Sequence, residues 1–231
     1  MNCGMTNEAR QSILGSIRTH LATSVPYDKR ELSLHPVHHE NSVILSEKTS
    51  CSLVETFKAS LEAVGVRCTI AQDEPGIAYA LTQIISSLQQ TPVRAQHIAI
   101  SDAPQVERLL HQTDLEIEEL GIAPNASDIF GFDVGITSAQ AAIAETGTLI
   151  LDSTRERHRL VSLVPPVHIA IVDASKIYET LGEALAFIHK TEMSPAVTFI
   201  TGPSRTADIE LTLTVGVHGP QELYVIINGS T

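Results

Sequence analysis

Residues Val66 to Ile100 read VRCTIAQDEPGIAYALTQIISSLQQTPVRAQHIAI, in which two short apolar segments flank a longer amphipathic one. Val66–Ile70 and His97–Ile100 have the length and composition of strands. Between them, Asp73 can cap a helix whose apolar residues recur at helical spacing: Ile77, Leu81, Ile84, Ile85 and Leu88. A helix between two strands is typical of a crossover unit, so this segment predicts a mostly parallel sheet.

The chain before this segment predicts two helices separated by a polar stretch. The first stops before Pro26 and carries Ile13, Leu14, Ile17 and Leu21 on one face. The second opens at Ser52 with Glu55 as a capping-box partner and ends at Gly65. Its buried face is expected to hold Leu53, Phe57, Leu61 and Val64. We therefore predict an N-terminal helix and polar connector over residues 1–40, and an α/β domain over residues 41–231.

The chain after Ile100 continues the alternation of helices and strands. A short helix is predicted to start at Asp102 and Pro104, and Phe132–Ser153 predicts two strands that meet at a tight corner. Pro165-Pro166 leads into an apolar strand, Val167–Val172. A helix bearing Ile177, Leu181, Ala184, Leu185 and Ile188 follows, and then strands at 197–200 and 223–227.

Composition favours a buried sheet and excludes some partners. Hydrophobic residues make up 43% of the chain, aromatic ones 4%, and Trp is absent, so the core is aliphatic. The balance of 15 basic and 27 acidic residues disfavours nucleic acid and anionic lipid as partners. No apolar stretch approaches the ~18 residues of a membrane span, and no signal peptide is evident. We expect a cytoplasmic protein.

The cysteine content limits redox chemistry. The three cysteines, Cys3, Cys51 and Cys68, are odd in number and widely spaced, which argues against a disulfide framework. Because an iron–sulfur cluster normally takes about four thiolates, this chain cannot hold one alone by that route.

Four segments of the second half together resemble the signature of the lactate-utilisation protein C family, whose domain is called LUD. They are Ala144-Glu145-Thr146-Gly147-Thr148 running on to Leu151-Asp152-Ser153, Pro165-Pro166-Val167-His168, Ser204-Arg205-Thr206-Ala207-Asp208-Ile209-Glu210, and Gly216-Val217-His218-Gly219-Pro220. The resemblance covers roughly Asp128 to Ile227.

The resemblance implies a fold and a pathway. The fold is a three-layer α/β arrangement, a mostly parallel sheet flanked by helices, similar to the ribose-phosphate isomerase, glucosamine-phosphate deaminase and CoA-transferase group, here with an N-terminal helical extension. The pathway is oxidation of L-lactate to pyruvate alongside partner proteins that carry the iron–sulfur clusters. No cofactor is expected on this chain itself.

Glu145 is the candidate catalytic residue, since a carboxylate at a strand-end corner can serve as a general base or as a CoA-transferase-like nucleophile. The neighbouring Thr146, Gly147 and Thr148 would bind the ligand, because glycine lets a ligand approach the backbone closely. The alternative is that Glu145 only fixes the turn by accepting hydrogen bonds from nearby N–H groups.

Several further residues are candidates for anion binding. Ser204, Arg205, Thr206 and Asp208 follow a Gly-Pro turn and combine hydroxyls with a guanidinium, which suits a carboxylate or phosphate; the alternative is a capped turn in which Asp208 pairs with Arg205. Arg159, from the basic cluster 155–159, is expected near Glu145, although a charge cluster is more often a solvated loop. His218 is a site candidate in a turn, whereas His168 is expected to be a core residue.

Other motifs carry less weight. His35, His38, His39 and Glu40 have metal-like spacing, yet they lie in a polar stretch outside the family segments, so no metal site is predicted. Neither a G-x-G-x-x-G nor a Walker loop occurs, and no G-x-S-x-G elbow is found.

Three hypotheses follow. The first is a non-redox subunit of an iron–sulfur-dependent L-lactate oxidation system. The second is a stand-alone CoA-transferase-like or sugar-phosphate enzyme that uses Glu145 and Arg205. The third is a regulatory or scaffold domain with a vestigial pocket.

Overall fold

The computed structural model describes residues 7–23, 50–101, 103–113, 115, 119–121, 128–153, 159–189, 195–207, 213–215 and 219–229. The chain divides into two units, Met1–Ser46 and Glu47–Thr231. The predicted division after residue 40 falls outside the described residues. No helix in the described ranges combines the length and the apolar character needed to cross a bilayer.

The N-terminal unit contains helix α1, Asn7–Thr23. The helix was predicted, and its apolar face is only partly shielded: Ile13, Leu14 and Ile17 are 39–50% exposed.

The larger unit alternates helices and strands. Its helices are α2 (Ser50–Ala63), α3 (Glu74–Gln89), α4 (Pro104–Leu110) and α5 (Leu181–His189). Its strands are β1 (Arg67–Ala71), β2 (His97–Ile100), β3 (Glu119–Gly121), β4 (Val134–Ala139), β5 (Ala141–Ile143), β6 (Thr148–Asp152), β7 (Val167–Asp173), β8 (Ile177–Tyr178), β9 (Val197–Ile200), β10 (Arg205–Ala207), β11 (Leu213–Val215) and β12 (Glu222–Asn228). Short 3₁₀ turns lie at Asp128–Gly131, Arg159–Ser162 and Ala174–Lys176.

Six strands form the main sheet, in the order β1-β12-β7-β4-β2-β3. Every neighbouring pair in it is parallel. A second sheet has the order β8-β5-β6-β9, and β10 pairs with β11 in a separate hairpin. The predicted parallel α/β fold class is confirmed.

Alternate residues of the main strands face two different hydrophobic clusters, as the period of a strand requires. On the first face, Ile169 and Ile171 of β7 pack in one cluster with residues of α3 and α4. On the second face, Ala170 and Val172 pack with α2 and with β5 and β6. Helix α5 covers the outer side of the second sheet through Ala184 and Ile188. The second face is therefore covered in part by a small sheet instead of helices alone.

The helix limits confirm some predicted signals and correct others. Asp73 caps α3, since its Oδ1 accepts a hydrogen bond from the Gly76 N–H at 2.8 Å. Helix α2 begins at Ser50, two residues before the predicted start. Ser52 lies inside the helix, where its carbonyl accepts from the Thr56 hydroxyl. Val64 lies beyond the end of α2 and is 40% exposed, so its predicted burial is wrong.

Two strand assignments also differ from the prediction. Residues 132–153 form three strands, because the chain leaves the main sheet at Gln140 and enters the second sheet at β5. Ile177 is not helical; it lies in β8, where it pairs with Ala142 of β5. The β-branched side chain of Ile177 suits this edge position. Asp102 lies outside the described residues, and Ala103 occupies the N-cap of α4.

Gly135 in β4 marks a close approach between the main sheet and the 3₁₀ turn Arg159–Ser162. A Cβ at Gly135 would stand 1.9 Å from the carbonyl oxygen of Val161. Backbone groups on both sides make this contact, so only glycine fits without displacement of the turn.

Gly135→Ala is therefore expected to lower the free energy of unfolding by about 3 kcal/mol or more. Urea unfolding followed by circular dichroism measures the change. Gly131→Ala is the matched control, because no atom lies within 4 Å of a Cβ built there. Equal unfolding midpoints for the two variants would contradict the packing described.

Candidate functional site

A cleft of about 680 Å³ opens at the carboxyl ends of β2, β4 and β7. Its lining includes Ala103–Gln105, which come after β2, and Ser138–Gln140, at the end of β4. It also includes Ile171 and Asp173, at the end of β7. The remaining wall comes from Ile150 and Asp152 of β6, from Lys176, and from Phe187 and Ile188 of α5. The volume lies within the range of ~300–1,000 Å³ that is usual for ligand pockets.

The topology of the sheet explains why the cleft lies there. The chain that leaves β2 enters α4 and packs on the first face of the sheet. The chain that leaves β4, the neighbouring strand, enters β5 and packs on the second face. Connections that diverge to opposite faces leave a crevice outside the carboxyl ends of the strands, which is where α/β proteins bind ligands.

Hydrogen bonds fix the polar wall of the cleft. The Gln140 side chain joins β4 to β6, because its Oε1 accepts from the Asp152 N–H at 2.7 Å and its Nε2 donates to the Ser138 carbonyl at 3.2 Å. At the end of β7, Asp173 Oδ1 accepts from Asn228 Nδ2 at 2.7 Å. These polar groups therefore have set positions before any ligand enters.

Lys176 and Phe187 form the lip of the cleft. The Lys176 ammonium lies 4.9 Å from the centroid of the Phe187 ring, a cation–π distance. This contact holds a positive charge beside the apolar residues Ile150 and Ile188.

The predicted catalytic turn, Glu145–Thr148, lies elsewhere. Glu145 is exposed, and its Oε1 accepts a long hydrogen bond of 3.4 Å from the Leu181 N–H at the start of α5. A negative charge at a helix N-terminus is stabilising. Gln140 borders the cleft, whereas Glu145 follows β5 by two residues and does not line it. The Glu145 N–H donates to the Glu179 carbonyl at 3.2 Å, so the turn lies beside the segment that joins β8 to α5.

The rest of that turn also has structural contacts. Gly147 has φ +63°, and a Cβ there would stand 2.9 Å from the backbone of Ser60 and Leu61 in α2. A chain of hydroxyls runs from Thr146 to Thr148 at 2.7 Å and on to Thr201 at 2.9 Å. The turn is thus anchored to the C-terminal half of α2.

Ser204 and Arg205 lie near the amino ends of the main strands. The Ser204 N–H donates to the Pro220 carbonyl at 2.7 Å, so that group is not free for an anion. Nη2 of Arg205 lies beside Gly65, 3.5 Å from where a Cβ would stand. Strand β7 separates this region from the cleft by about 20 Å at ~3.3 Å per residue. Asp208 and His218 lie outside the described residues, and Thr206 is described for its backbone alone.

Arg159 lies apart from Glu145, contrary to expectation. Together with Asp152, Ser153 and Thr137 it borders a narrow gap that leaves no room for a water molecule. Asp152 ends β6 beside Arg159, whereas Thr148 begins β6 at the turn that contains Glu145. The two ends of β6 are about 13 Å apart at ~3.3 Å per residue. The remaining residues of the basic cluster, 155–158, lie outside the described part of the chain, as do His35, His38, His39 and Glu40.

His168 is a core residue, as predicted. Its side chain is fully buried, and its Nε2 lies 2.8 Å from the Thr137 hydroxyl. Its Nδ1 has no hydrogen-bond partner among the described residues. Burial lowers the pKa of His168 to about 3, so the imidazole is neutral at physiological pH.

The described residues offer no cluster of three His, Cys, Asp or Glu side chains suited to a metal ion. Burial raises the pKa of Cys68 to about 12, which keeps its thiol protonated and makes it a poor ligand or nucleophile.

The sequence did not predict a ligand role for the cleft residues Gln105, Ser138, Gln140, Asp173 and Lys176. One signal was available: Ser138–Gln140 and Asp173 come at the ends of strands in a parallel sheet, where polar residues converge. The sequence around Lys176 and Phe187 did not indicate that they line the cleft, because their positions depend on how α5 packs against the second sheet.

Comparison with known proteins identifies relatives over most of the chain. Residues 54–228 match the sequence profile of the LUD domain. Lactate utilization protein C of Geobacillus thermodenitrificans is 32% identical over 187 residues, which cover 78% of this chain and 70% of that protein. Lactate utilization protein C 1 of Bacillus mycoides is 44% identical over 187 residues, with coverage of 78% and 71%.

A protein that matches over a shorter region and a solved structure are also similar to this chain. An uncharacterised protein of Neisseria meningitidis is 47% identical over 96 residues, so the match spans 41% of each protein. The crystal structure of a DUF162 family protein from Deinococcus radiodurans superposes with a TM-score of 0.57 at 23% identity. It covers 78% of this chain and 99% of that one, and it supports the fold.

The buried His168 is expected to make stability depend on pH. In the folded protein its pKa lies near 3, against 6.5 ordinarily, so the unfolded chain binds one more proton between these values. The contribution of His168 to the free energy of unfolding is therefore fully present above pH 6.5. It falls by about 1.4 kcal/mol per pH unit as the pH decreases from 6.5 toward 3.

His168→Gln removes the titration and can keep a hydrogen bond to Thr137. Between pH 6 and pH 4, wild type should lose roughly 2–3 kcal/mol more than the variant in urea unfolding. Carboxylates contribute equally to both proteins, so parallel stability curves would show that the imidazole is not the cause.

Proposed function

Because the chain belongs to the LUD domain family, we propose that it is a non-redox subunit of a lactate-utilisation system. The observation that carries the proposal is the match to two proteins named lactate utilization protein C, at 32% and 44% identity over 78% of this chain. In the proposed system, partner proteins with iron–sulfur clusters oxidise L-lactate to pyruvate.

The cysteine chemistry supports this division of labour. The chain has three cysteines, fewer than the four thiolates that a cluster normally takes. Cys68 is half-buried, and its raised pKa of about 12 opposes formation of the thiolate that ligates iron. We therefore assign electron transfer to partners and expect no cofactor on this chain.

The cleft supports a role in ligand handling. It lies at the point where the connections of β2 and β4 diverge, and hydrogen bonds hold its polar wall in place. A scaffold with a vestigial pocket would have no need of an ammonium held on an aromatic ring at the lip. The cleft is thus our candidate for the place where a small molecule binds.

The geometry lends less support to an independent enzyme that uses Glu145 and Arg205. The Glu145 carboxylate accepts from the first N–H of α5 and is not among the residues that line the cleft. Arg205 lies beside Gly65, at the end of α2. The catalytic role of Glu145 stays a prediction that a single substitution can test.

Cells of the native organism that lack the gene are expected to grow poorly with L-lactate as the sole carbon source and normally with glucose. A plasmid copy of the gene should restore growth on lactate. Growth curves on the two carbon sources measure the effect, and normal growth of the deletion strain on lactate would exclude the proposal.

A plasmid copy of the gene that carries Glu145→Gln tests whether Glu145 is catalytic or only fixes the turn by accepting a hydrogen bond. The amide oxygen can still accept from the Leu181 N–H, so the variant should fold, lose at most about 1 kcal/mol of stability, and restore growth. A folded variant that fails to restore growth would instead favour the catalytic role.

A further inference from the structure

Two polar side chains at the cleft have no polar partner within the described structure. The Lys176 ammonium contacts the Phe187 ring but makes no ion pair or hydrogen bond with the described residues. The Gln105 amide likewise has no hydrogen bond with them. Groups that would otherwise need water can instead bind a ligand, and the ammonium calls for an anion.

The charges of the lining limit how many negative charges that ligand carries. Lys176 contributes one positive charge, whereas Asp152 and Asp173 contribute two negative ones. A polyphosphate or another multiply charged anion would therefore be repelled, while a single carboxylate can pair with Lys176. Asp173 uses Oδ1 to accept from Asn228, and its second oxygen can accept a ligand hydroxyl.

The size of the cleft exceeds what lactate needs. At ~30 Å³ for each water-sized group, the six non-hydrogen atoms of lactate fill roughly 180 Å³, against a cleft of about 680 Å³. The additional space is bordered by apolar side chains of Pro104, Ile150 and Ile188 and by the Phe187 ring. Burial of methylene groups against such a wall is favourable.

We propose that the cleft binds a 2-hydroxy acid with one carboxylate and an apolar chain longer than the methyl group of lactate. The carboxylate pairs with Lys176, the hydroxyl donates to Asp173, and the chain lies against Ile150, Ile188 and Phe187. This inference deepens the proposed function and rests on it, since it names the class of acid that the subunit handles.

Isothermal titration calorimetry of the full chain tests the ligand class with straight-chain L-2-hydroxy acids from lactate to 2-hydroxyhexanoate. Binding should tighten about fourfold for each added methylene, or roughly sixtyfold over three. Hexanoate, which lacks the hydroxyl, should bind about tenfold more weakly than 2-hydroxyhexanoate. Affinity that is greatest for lactate, or absent for every acid, would overturn the proposal, as would binding of AMP or CoA in place of the acids.

Lys176→Gln should weaken binding of 2-hydroxyhexanoate by roughly tenfold to a hundredfold. Lys58→Gln is the matched control, because Lys58 lies on α2 near Glu62 and does not line the cleft. Equal affinities of the two variants would exclude the carboxylate contact. If Lys176→Gln does not fold, the chain-length series decides alone.

The two proposals fail in different experiments. Normal growth of the deletion strain on lactate would exclude the pathway role. The calorimetric result would then still describe a ligand preference of the cleft. If the protein is required for growth on lactate but its affinity does not change with the chain length of the acid, only the proposed ligand class is excluded.

Discussion

Burial of the parallel sheet on both faces is the constraint from which the other features follow. Strand β7 lies near the centre of the sheet, and its residues alternate between a cluster shared with α3 and α4 and a cluster shared with α2, β5 and β6. Since a parallel sheet exposes no polar face, each connection must cover one side of it. The connections of β2 and β4 cover opposite sides, and the cleft lies where they diverge.

The same constraint explains why the segments that resemble the family signature have structural contacts. Gly147 allows the turn after β5 to lie against the backbone of α2, and the hydroxyls of Thr146, Thr148 and Thr201 bond to one another. Outside those segments, Gly135 likewise allows the turn Arg159–Ser162 to lie on β4. Turns that pack closely against a neighbouring element demand small residues and internal hydrogen bonds, so recurrent sequence in a turn often serves geometry.

Burial sets the protonation state of two side chains in the larger unit. His168 is neutral because it is buried, and the Cys68 thiol is held protonated for the same reason. The Lys176 ammonium lies at the lip of the cleft, against an aromatic ring. The proposed ligand cleft combines one ammonium, two carboxylates and an apolar wall.

The sequence by itself determined the alternation of strands and helices, the cap at Asp73 and the burial of His168, because periodicity, capping and apolar context are local properties. It also indicated the family through four segments. Only the tertiary structure decided that residues 132–153 leave the main sheet at Gln140, and that Asp173 and Lys176 line the cleft while Glu145 and Arg205 do not. Strand order and the packing of α5 decide which residues line the cleft, and both depend on contacts between residues far apart in the chain.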